Sequence, residues 1–267
     1  EALSPVRGRG RLRVPLHCVI TDFTAHPFWA FPHVDRYFVA TDKVAAELAS
    51  HGVERARIEV TGIPVAPRFA QPIGREAAHA RFGLDPARPV ILVMGGGRGI
   101  GPLGTLAERL AGLAHAPQVV VVCGTNVRLQ EQIAALPAAR AGRIRPLGYT
   151  TEVDVLLEGC DLVVSKAGGL TCAEALIKQA PLVVFQPVPG QEVANAAVLE
   201  TAGAAVGAGS IDEVVACAGR WLDDPAALAH AREAAGRLAR PQAAEIIARR
   251  VLEGAVSAAP SELGRSA

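Results

Sequence analysis

Aromatic side chains make up only 4% of the 267 residues. So few flat rings argue against a surface on which nucleic-acid bases stack. Charge of one sign is also missing. The formal net charge is +1, so nothing global points to nucleic acid. Lysine is nearly absent. Lys43, Lys166 and Lys178 stand alone among basic side chains that are otherwise arginine. With many Ala, Gly and Pro, that usage reflects the codon bias of a GC-rich genome. No apolar run approaches the roughly 20 residues of a membrane span. The five cysteines (Cys18, Cys123, Cys160, Cys172, Cys217) show no C-x-x-C spacing. They read as reduced, mostly buried thiols of a cytosolic protein. His and Cys are scattered without ligand spacing, so no metal site is expected. A Walker phosphate loop is excluded by the missing Gly-Lys-Ser/Thr. The chain starts at Glu1 rather than Met and enters a strand almost at once. A fragment lacking its N-terminal part is expected, and a missing signal peptide then carries little information.

Half of the residues are hydrophobic, enough to build the cores of two modest domains or one large one. Leu16–Ile20, Tyr37–Ala40 and Ile58–Thr61 read as short strands, with a helix over Asp42–Ser50. A proline-rich connector follows (Gly62 to Pro67), typical of a domain boundary. Arg75–Phe82 reads as a helix. From Pro89 the pattern alternates. Strands are expected at Val90–Met94, Val119–Cys123, Ile144–Pro146, Leu162–Val164, Leu182–Phe185 and Ala204–Val206. Helices are expected at Leu103–Leu113, Asn126–Leu136, Val153–Leu157, Leu170–Gln179 and Glu192–Thr201. Short continuous Val/Leu strands between helices imply an α/β fold with a parallel sheet covered on both faces. Ile211–Leu222, Pro225–Leu238 and Gln242–Glu253 complete a helical C-terminus. The expected division is 1–68, 69–240, a C-terminal helix 241–254, and a disordered tail 255–267.

The most informative stretch is Ser165–Glu174, SKAGGLTCAE. It reads as a buried strand whose end opens a helix. Gly168 and Gly169 let the backbone come close to a ligand. The free N–H groups of the helix start attract an anion such as phosphate. Glu174 follows Thr171 by one turn, so the two side chains address one region. A phosphate at Thr171 and a ribose at Glu174 describe a nucleotide. The same spacing also fits a capping box, in which both residues satisfy helix N–H groups. The PGQE loop, Pro189–Glu192, tips the balance toward a ligand. It puts Gln191, Glu192 and Asn195 at a neighbouring strand end. Ligands of open parallel sheets gather at carboxyl ends of strands. Here those ends read Gly95-Gly96-Gly97, Gly124-Thr125-Asn126, Gly148-Tyr149-Thr150, Lys166–Thr171 and Gln186–Glu192, a coherent polar rim. Gly99-x-Gly101-x-x-Gly104 formally matches a dinucleotide fingerprint. The next strand ends without the acidic residue that motif needs, and Pro102 interrupts it, which argues against NAD.

These motifs together resemble the monogalactosyldiacylglycerol synthase and processive diacylglycerol glucosyltransferase family. That family is related to the N-acetylglucosaminyltransferase that makes lipid II. The matches are TDFTAHPFW (Thr21–Trp29), VDRYFVAT (Val34–Thr41), TGIPV (Thr61–Val65), MGGGRGIG (Met94–Gly101), VVCGTN (Val121–Asn126), Gly148-Tyr149, SKAGGLTCAEAL (Ser165–Leu176) and PGQEVANA (Pro189–Ala196). They run in family order over about residues 16–200.

The resemblance implies a GT-B fold of two Rossmann-like domains with parallel sheets around a cleft, the N-terminal one incomplete. It implies inverting transfer of galactose or glucose from a UDP-sugar to diacylglycerol or a glycosyl-diacylglycerol, with no metal and no cofactor. A peripheral enzyme at the cytoplasmic face of the membrane is expected, with no nucleic-acid partner. The implied donor set begins with Gly96, Gly97 and Asn126 at the first two strand ends. Tyr149 and Thr150 would flank the uracil, and Lys166 would meet the diphosphate charge. Gly168, Gly169, Leu170 and Thr171 would hold the diphosphate, and Glu174 the ribose. Gly190, Gln191 and Glu192 would meet the sugar, with Asn195 supporting that loop. Asp22 and His26 are the candidates to orient or deprotonate the acceptor hydroxyl. The family's usual Gly-x-Gly-His loop is not in this chain. Two other readings stay open: a related GT-B UDP-glycosyltransferase with a lipid II-type or soluble acceptor, and a fragment that binds UDP-sugar without turning it over. Arg7, Arg9, Arg11 and Arg13 form either a basic stripe for anionic headgroups or a solvated loop. Phe28, Trp29 and Phe31 line an acyl groove or pack the N-terminal core.

Overall fold

The computed structural model describes residues 3–10 and 14–257, with side chains described as far as Gly254. Arg11, Arg13 and the tail beyond 257 lie outside those residues. The chain folds as two compact units, residues 1–66 with 240–267 and residues 67–239.

The first unit opens with helix α1 (Leu3–Gly8) and continues through β1 (His17–Val19), β2 (Arg36–Val39), α2 (Asp42–Ser50) and β3 (Ile58–Val60). The strands form a parallel sheet in the order β1-β2-β3. Thr41 starts α2 by accepting a hydrogen bond from Val44 N at 3.3 Å, the expected use of a Thr N-cap. That cap turns Val44, Ala45 and Leu48 inward, where they are buried together with Tyr37, Phe38 and Val39. Leu16 and Ile20 flank β1 rather than extend it.

The second unit runs α3 (Arg75–Phe82), β4 (Val90–Met94), α4 (Leu103–Ala111), β5 (Gln118–Val122), α5 (Val127–Ala134), α6 (Pro137–Arg140), β6 (Ile144–Leu147), α7 (Val153–Gly159), β7 (Leu162–Ser165), α8 (Gly169–Ile177), β8 (Leu182–Phe185), α9 (Gln191–Thr201), β9 (Ala205–Ala208), α10 (Ile211–Asp223) and α11 (Pro225–Leu238). A 3-10 turn, Pro67–Ala70, precedes α3. All six strands are parallel, in the order β6-β5-β4-β7-β8-β9. Every residue of β4, β5, β7 and β8 is buried. A strand covered on both faces has no solvent side, which is why these segments read as unbroken apolar runs. The chain leaves β4 toward β5 and β6, then crosses back to β7 on its other side. Loops at the carboxyl ends of β4 and β7 therefore diverge, which makes the crevice where such sheets hold ligands. The fold is that of two parallel-sheet, Rossmann-like domains of the GT-B kind, the first with three strands and the second with six.

The last helix, α12 (Ala243–Ser257), belongs with the first unit, and it runs past the expected end at 254. Arg250 on α12 reaches Glu59 of β3, Nε to Oε1 at 3.0 Å. Helix α6 is a short addition that the apolar pattern does not announce.

Candidate functional site

The β4 and β5 loops close on each other through their backbones. Thr125 N and its hydroxyl both donate to Gly97 O, at 3.0 and 3.2 Å. A Cβ on Gly124 would lie 2.3 Å from Gly97 O, and one on Gly99 would lie 2.2 Å from Cys123 O. Both residues also have positive φ, +58° and +56°, so only glycine fits in shape and conformation. These two glycines serve packing. Gly97, by contrast, has no atom within 4 Å of a Cβ position and is open to approach. Asn126 is occupied as the N-cap of α5. Its Oδ1 accepts from Leu129 N at 3.0 Å and its Nδ2 donates to Gly99 O at 3.4 Å.

The start of α8 is different. Gly168 is the N-cap, and no side chain caps the helix. Thr171 is the third residue of the helix and Glu174 the sixth, so the capping-box alternative does not hold. The N–H groups of the first turn lack intrahelical partners and point out at the end of β7. One side chain of α9 bonds this loop: Asn195 is fully buried (0% exposed) and its Nδ2 donates to Ala167 O at 2.9 Å. The Glu192 carboxylate closes the neighbouring β8–α9 loop by accepting from Val188 N at 2.6 Å. Its other oxygen lies 3.8 Å from a Cβ position on Gly168. Thus α9 holds the glycine loop from behind, while Leu170, 51% exposed, stands at its outer side.

Glu174 lies half-buried where α7, α8 and the 3-10 turn Pro67–Ala70 pack together. Its carboxyl is pushed up to about 7, chiefly by burial, with Arg68 pulling it down and Asp154 adding to the rise. Asp154, at 6% exposure, sits in the first turn of α7 and pairs with Arg68 Nε at 3.5 Å. One turn on, Glu158 pairs with Lys178, which follows the end of α8, at 2.6 Å, and Lys178 also donates to Gln71 O at 2.8 Å. The segment after Ala66 is therefore fastened to α7 and α8 by two cations.

The remaining rim residues divide in the same way. Tyr149 projects from the end of β6 with 71% of its surface exposed. Thr150 uses its hydroxyl to accept from Glu152 N at 3.0 Å, shaping the turn into α7. Lys166, Ser165 and Gln186 line a cavity of about 20 Å³ between the ends of β4, β7 and β8, with room for about one water. Gln186 holds φ +50° without being glycine. Gly190 has φ +98° and leads into Gln191, the first residue of α9. All five cysteines are free thiols, with Cys18 half-buried and the others buried. Burial pushes Cys123 up to about 11 and Cys160 up to about 12, so neither is a nucleophile near neutral pH. Among the described residues no group of His, Cys, Asp and Glu could hold a metal ion. No helix among them is long and apolar enough to cross a membrane.

Residues 1–65 match the family described as Monogalactosyldiacylglycerol (MGDG) synthase, and residues 90–215 match the Glycosyltransferase family 28 C-terminal domain. The processive diacylglycerol beta-glucosyltransferase of Bacillus subtilis (strain 168) is 36% identical over 211 residues, 78% of this chain and 54% of that protein. The enzyme of the same name from Bacillus thuringiensis (strain Al Hakam) is 33% identical over 254 residues, 94% of this chain and 65% of that protein. The chain is related to the glycosyltransferases of these two families and has a GT-B fold. It spans between 54% and 65% of the length of those two relatives. The S. aureus MnaA-UDP co-structure shares the fold, with a TM-score of 0.71 at 18% identity, over 93% of this chain and 71% of that one.

In the first unit of this GT-B chain, Asp22 and His26 follow β1. Asp22 is half-buried and His26 is exposed. His26 starts a 3-10 turn, Pro27–Trp29, and its Nδ1 accepts from Phe28 N at 3.2 Å. A neutral ring that accepts at Nδ1 carries its hydrogen on Nε2. In this conformation His26 offers a donor, suited to orienting a hydroxyl rather than to removing its proton. The ring packs against Phe28 at a tilt of 40°, centroids 4.7 Å apart, and Phe28 is 79% exposed. Phe31 is half-buried, and its backbone N–H donates to Tyr37 Oη at 2.7 Å. Arg7 of the basic stripe pairs with Asp35 at 2.9 Å.

Sequence reasoning missed Arg68 and Asp154, which lie far apart in sequence and carry no motif. It places Gln186 on the rim as the start of the Gln186–Glu192 loop, but without a role of its own.

Proposed function

We propose that this chain carries the donor-binding domain, and part of the acceptor domain, of an inverting glycosyltransferase. It moves a hexose, glucose or galactose, from a UDP-sugar to diacylglycerol or a glycosyl-diacylglycerol. The observation that carries the reading is the uncapped α8 N-terminus at the sheet's switch point, with the Glu174 carboxyl one and a half turns inside it. A nucleoside diphosphate has the matching chemistry: an anion for the N–H groups and a ribose diol for the carboxylate. The relatives' names supply lipid and sugar and favour glucose.

In the reaction an acceptor hydroxyl oxygen attacks the anomeric carbon from the face opposite the diphosphate. The bond to UDP breaks and its electron pair stays on the phosphate oxygen. The first-turn N–H groups of α8 and Lys166 stabilise that growing charge without rearranging. Gly168, Gly169, Leu170 and Thr171 shape the diphosphate seat, with Gly96 and Gly97 facing it across the crevice. Tyr149 and Thr150 flank the base. Gly190, Gln191 and Glu192 meet the sugar hydroxyls, while Asn195 holds the loop. Asn126 contributes through the loop it caps. His26 orients the acceptor hydroxyl through Nε2–H, and Asp22 takes the proton. The enzyme works as a peripheral protein at the cytoplasmic face of a membrane, with exposed Phe28 toward the lipid. No metal or cofactor enters these steps.

Calorimetric titration of the chain with UDP, UDP-glucose, UDP-galactose and NAD tests the donor site. Saturable UDP binding, tighter with one sugar nucleotide, is expected. A folded chain that ignores all three uridine ligands would overturn the reading. Diacylglycerol against an undecaprenyl-linked acceptor, offered to the full-length protein, tests the acceptor.

A further inference from the structure

Glu47 is a half-buried acid of the first unit with no part in the steps above, yet it is bonded to the loop that takes part. It stands on α2, three residues after Val44 and so on the same side of the helix. That helix is fixed by its Thr41 cap and by the burial of Val44, Ala45 and Leu48. Glu47 Oε2 accepts two hydrogen bonds from the segment after β1, from Ala25 N at 2.8 Å and from the Thr24 hydroxyl at 3.1 Å. A carboxylate oxygen has the lone pairs to accept both, and its charge strengthens both. The other oxygen, Oε1, lies 3.8 Å from Lys43 Nζ. Ala25 is buried, at 8% exposure, so its N–H needs a partner inside the fold. His26 is the next residue, and the turn that follows grips it from the other side. Phe28 N donates to His26 Nδ1 at 3.2 Å, and Trp29 N donates to His26 O at 2.9 Å. Bonds within that turn travel with the ring. The bonds to Glu47 span more than twenty residues and refer the ring to α2.

We propose that Glu47 is a positioning residue for the transfer reaction. By holding Thr24 and Ala25 against α2, it fixes where His26 presents its Nε2–H to the acceptor hydroxyl. The proposal rests on the reading of His26 given above, in which that ring orients the hydroxyl. Orientation is effective only when the donor is held in place, since a misplacement of about 1 Å can cost about a hundredfold in rate. Glu47 needs no contact with either substrate to act in this way. The donor loops belong to the other unit, so donor affinity is expected to stay as it is.

The test measures transfer to diacylglycerol in detergent micelles by the full-length protein, with whichever of UDP-glucose and UDP-galactose the wild type uses. The variants are E47A, H26A and the two combined. E47A is expected to lower kcat about tenfold or more, with UDP affinity by calorimetry unchanged. In the H26A background the same substitution is expected to change kcat less than about twofold, because residues that act through one another are not additive. E47Q keeps an acceptor oxygen for both bonds and is expected to restore most of the activity. A strut that merely supports the fold would give the same loss with and without His26. That result overturns the proposal, as does wild-type kcat in E47A beside an impaired H26A, or E47Q as poor as E47A. If E47A does not fold, Thr24→Val, which removes one of the two bonds, takes its place in the same cycle. A smaller loss that vanishes in H26A is then expected, and wild-type kcat in Thr24→Val would overturn the proposal. Wild-type activity in H26A is a different failure: it removes His26 from the acceptor site, and the reading beneath the proposal with it.

Discussion

Two glycine-rich rims face the same crevice, and they use glycine for opposite ends. At β4 and β5, Gly99 and Gly124 let two stretches of backbone touch, and the loops satisfy each other's polar groups. At β7 and β8, Gly168 and Gly190 leave space, and buried Asn195 and the Glu192 carboxylate hold the loops from behind. The first rim has spent its hydrogen-bonding groups on itself. The second keeps a helix start unsatisfied, and an unsatisfied helix start is what binds an anion. A glycine motif thus marks a ligand site only when the backbone around it still has something to give.

The largest effect that would break this contrast falls on the first rim. Gly124→Ala puts a Cβ 2.3 Å from a carbonyl oxygen at φ +58°. Backbone strain and overpacking together are expected to cost about 3 kcal/mol. Chemical denaturation measures it, and a loss under about 1 kcal/mol would mean that the two loops are not closed on each other. On the second rim the largest effect is Asn195→Ala. It leaves Ala167 O unpaired behind the glycine loop, for about 2 kcal/mol of stability. Because that loop shapes the α8 start, UDP affinity should fall several-fold in the same variant. A stable Asn195→Ala chain with wild-type UDP affinity would show that α9 does not organise the rim.

The sequence announces the sheet far better than the site. Val90–Met94 and Leu182–Phe185 are strands over the expected residues because full burial leaves them no polar position. Helices α2, α3 and α11 likewise begin and end where expected, at Thr41, Gly74 and Asp224 and at the residues that close them. Strand β1 is shorter than its apolar run, since pairing and not hydrophobicity sets its ends. Thr171-x-x-Glu174 shows the limit on the site. The spacing fits capping and ligand binding equally, and only the helix register, with Gly168 as the N-cap, separates them. Asn126 shows it from the other side, a rim residue whose amide is used up by its own helix. The Arg68–Asp154 pair was illegible because a tertiary contact between distant residues leaves no periodic trace.

Glu174 sharpens the comparison in a smaller range of energy. Its carboxyl is raised from 4.5 to about 7 by burial. Between those values the native state binds more protons than the unfolded chain, so this group makes stability fall as pH rises through that window and then level off. A carboxyl raised that far would be worth about 3 kcal/mol undiminished, and solvent around a half-buried group reduces that to about 1–2 kcal/mol. Glu174→Gln should therefore stabilise the ligand-free chain at pH 8 by that amount and not at pH 4. Thermal unfolding at the two pH values measures it, and equal gains at both would refute the raised carboxyl. The first rim contains no acid, and no such dependence is expected from it.

The smallest effect is also the most discriminating. Gly97 belongs to the self-closed rim, yet a Cβ there would meet no atom within 4 Å, and its φ is not positive. Gly97→Ala should change stability by less than about 0.5 kcal/mol, the range of ordinary surface substitutions. The proposed donor site nevertheless puts the diphosphate opposite this residue. If phosphate oxygens approach its backbone, the added methyl group must weaken UDP binding while the fold is untouched. Calorimetry on Gly97→Ala then separates two otherwise similar descriptions of the crevice. Weakened UDP binding means both rims face the nucleotide. Unchanged binding means that the β7–β8 rim holds it alone, and that the β4–β5 loops are scaffold throughout.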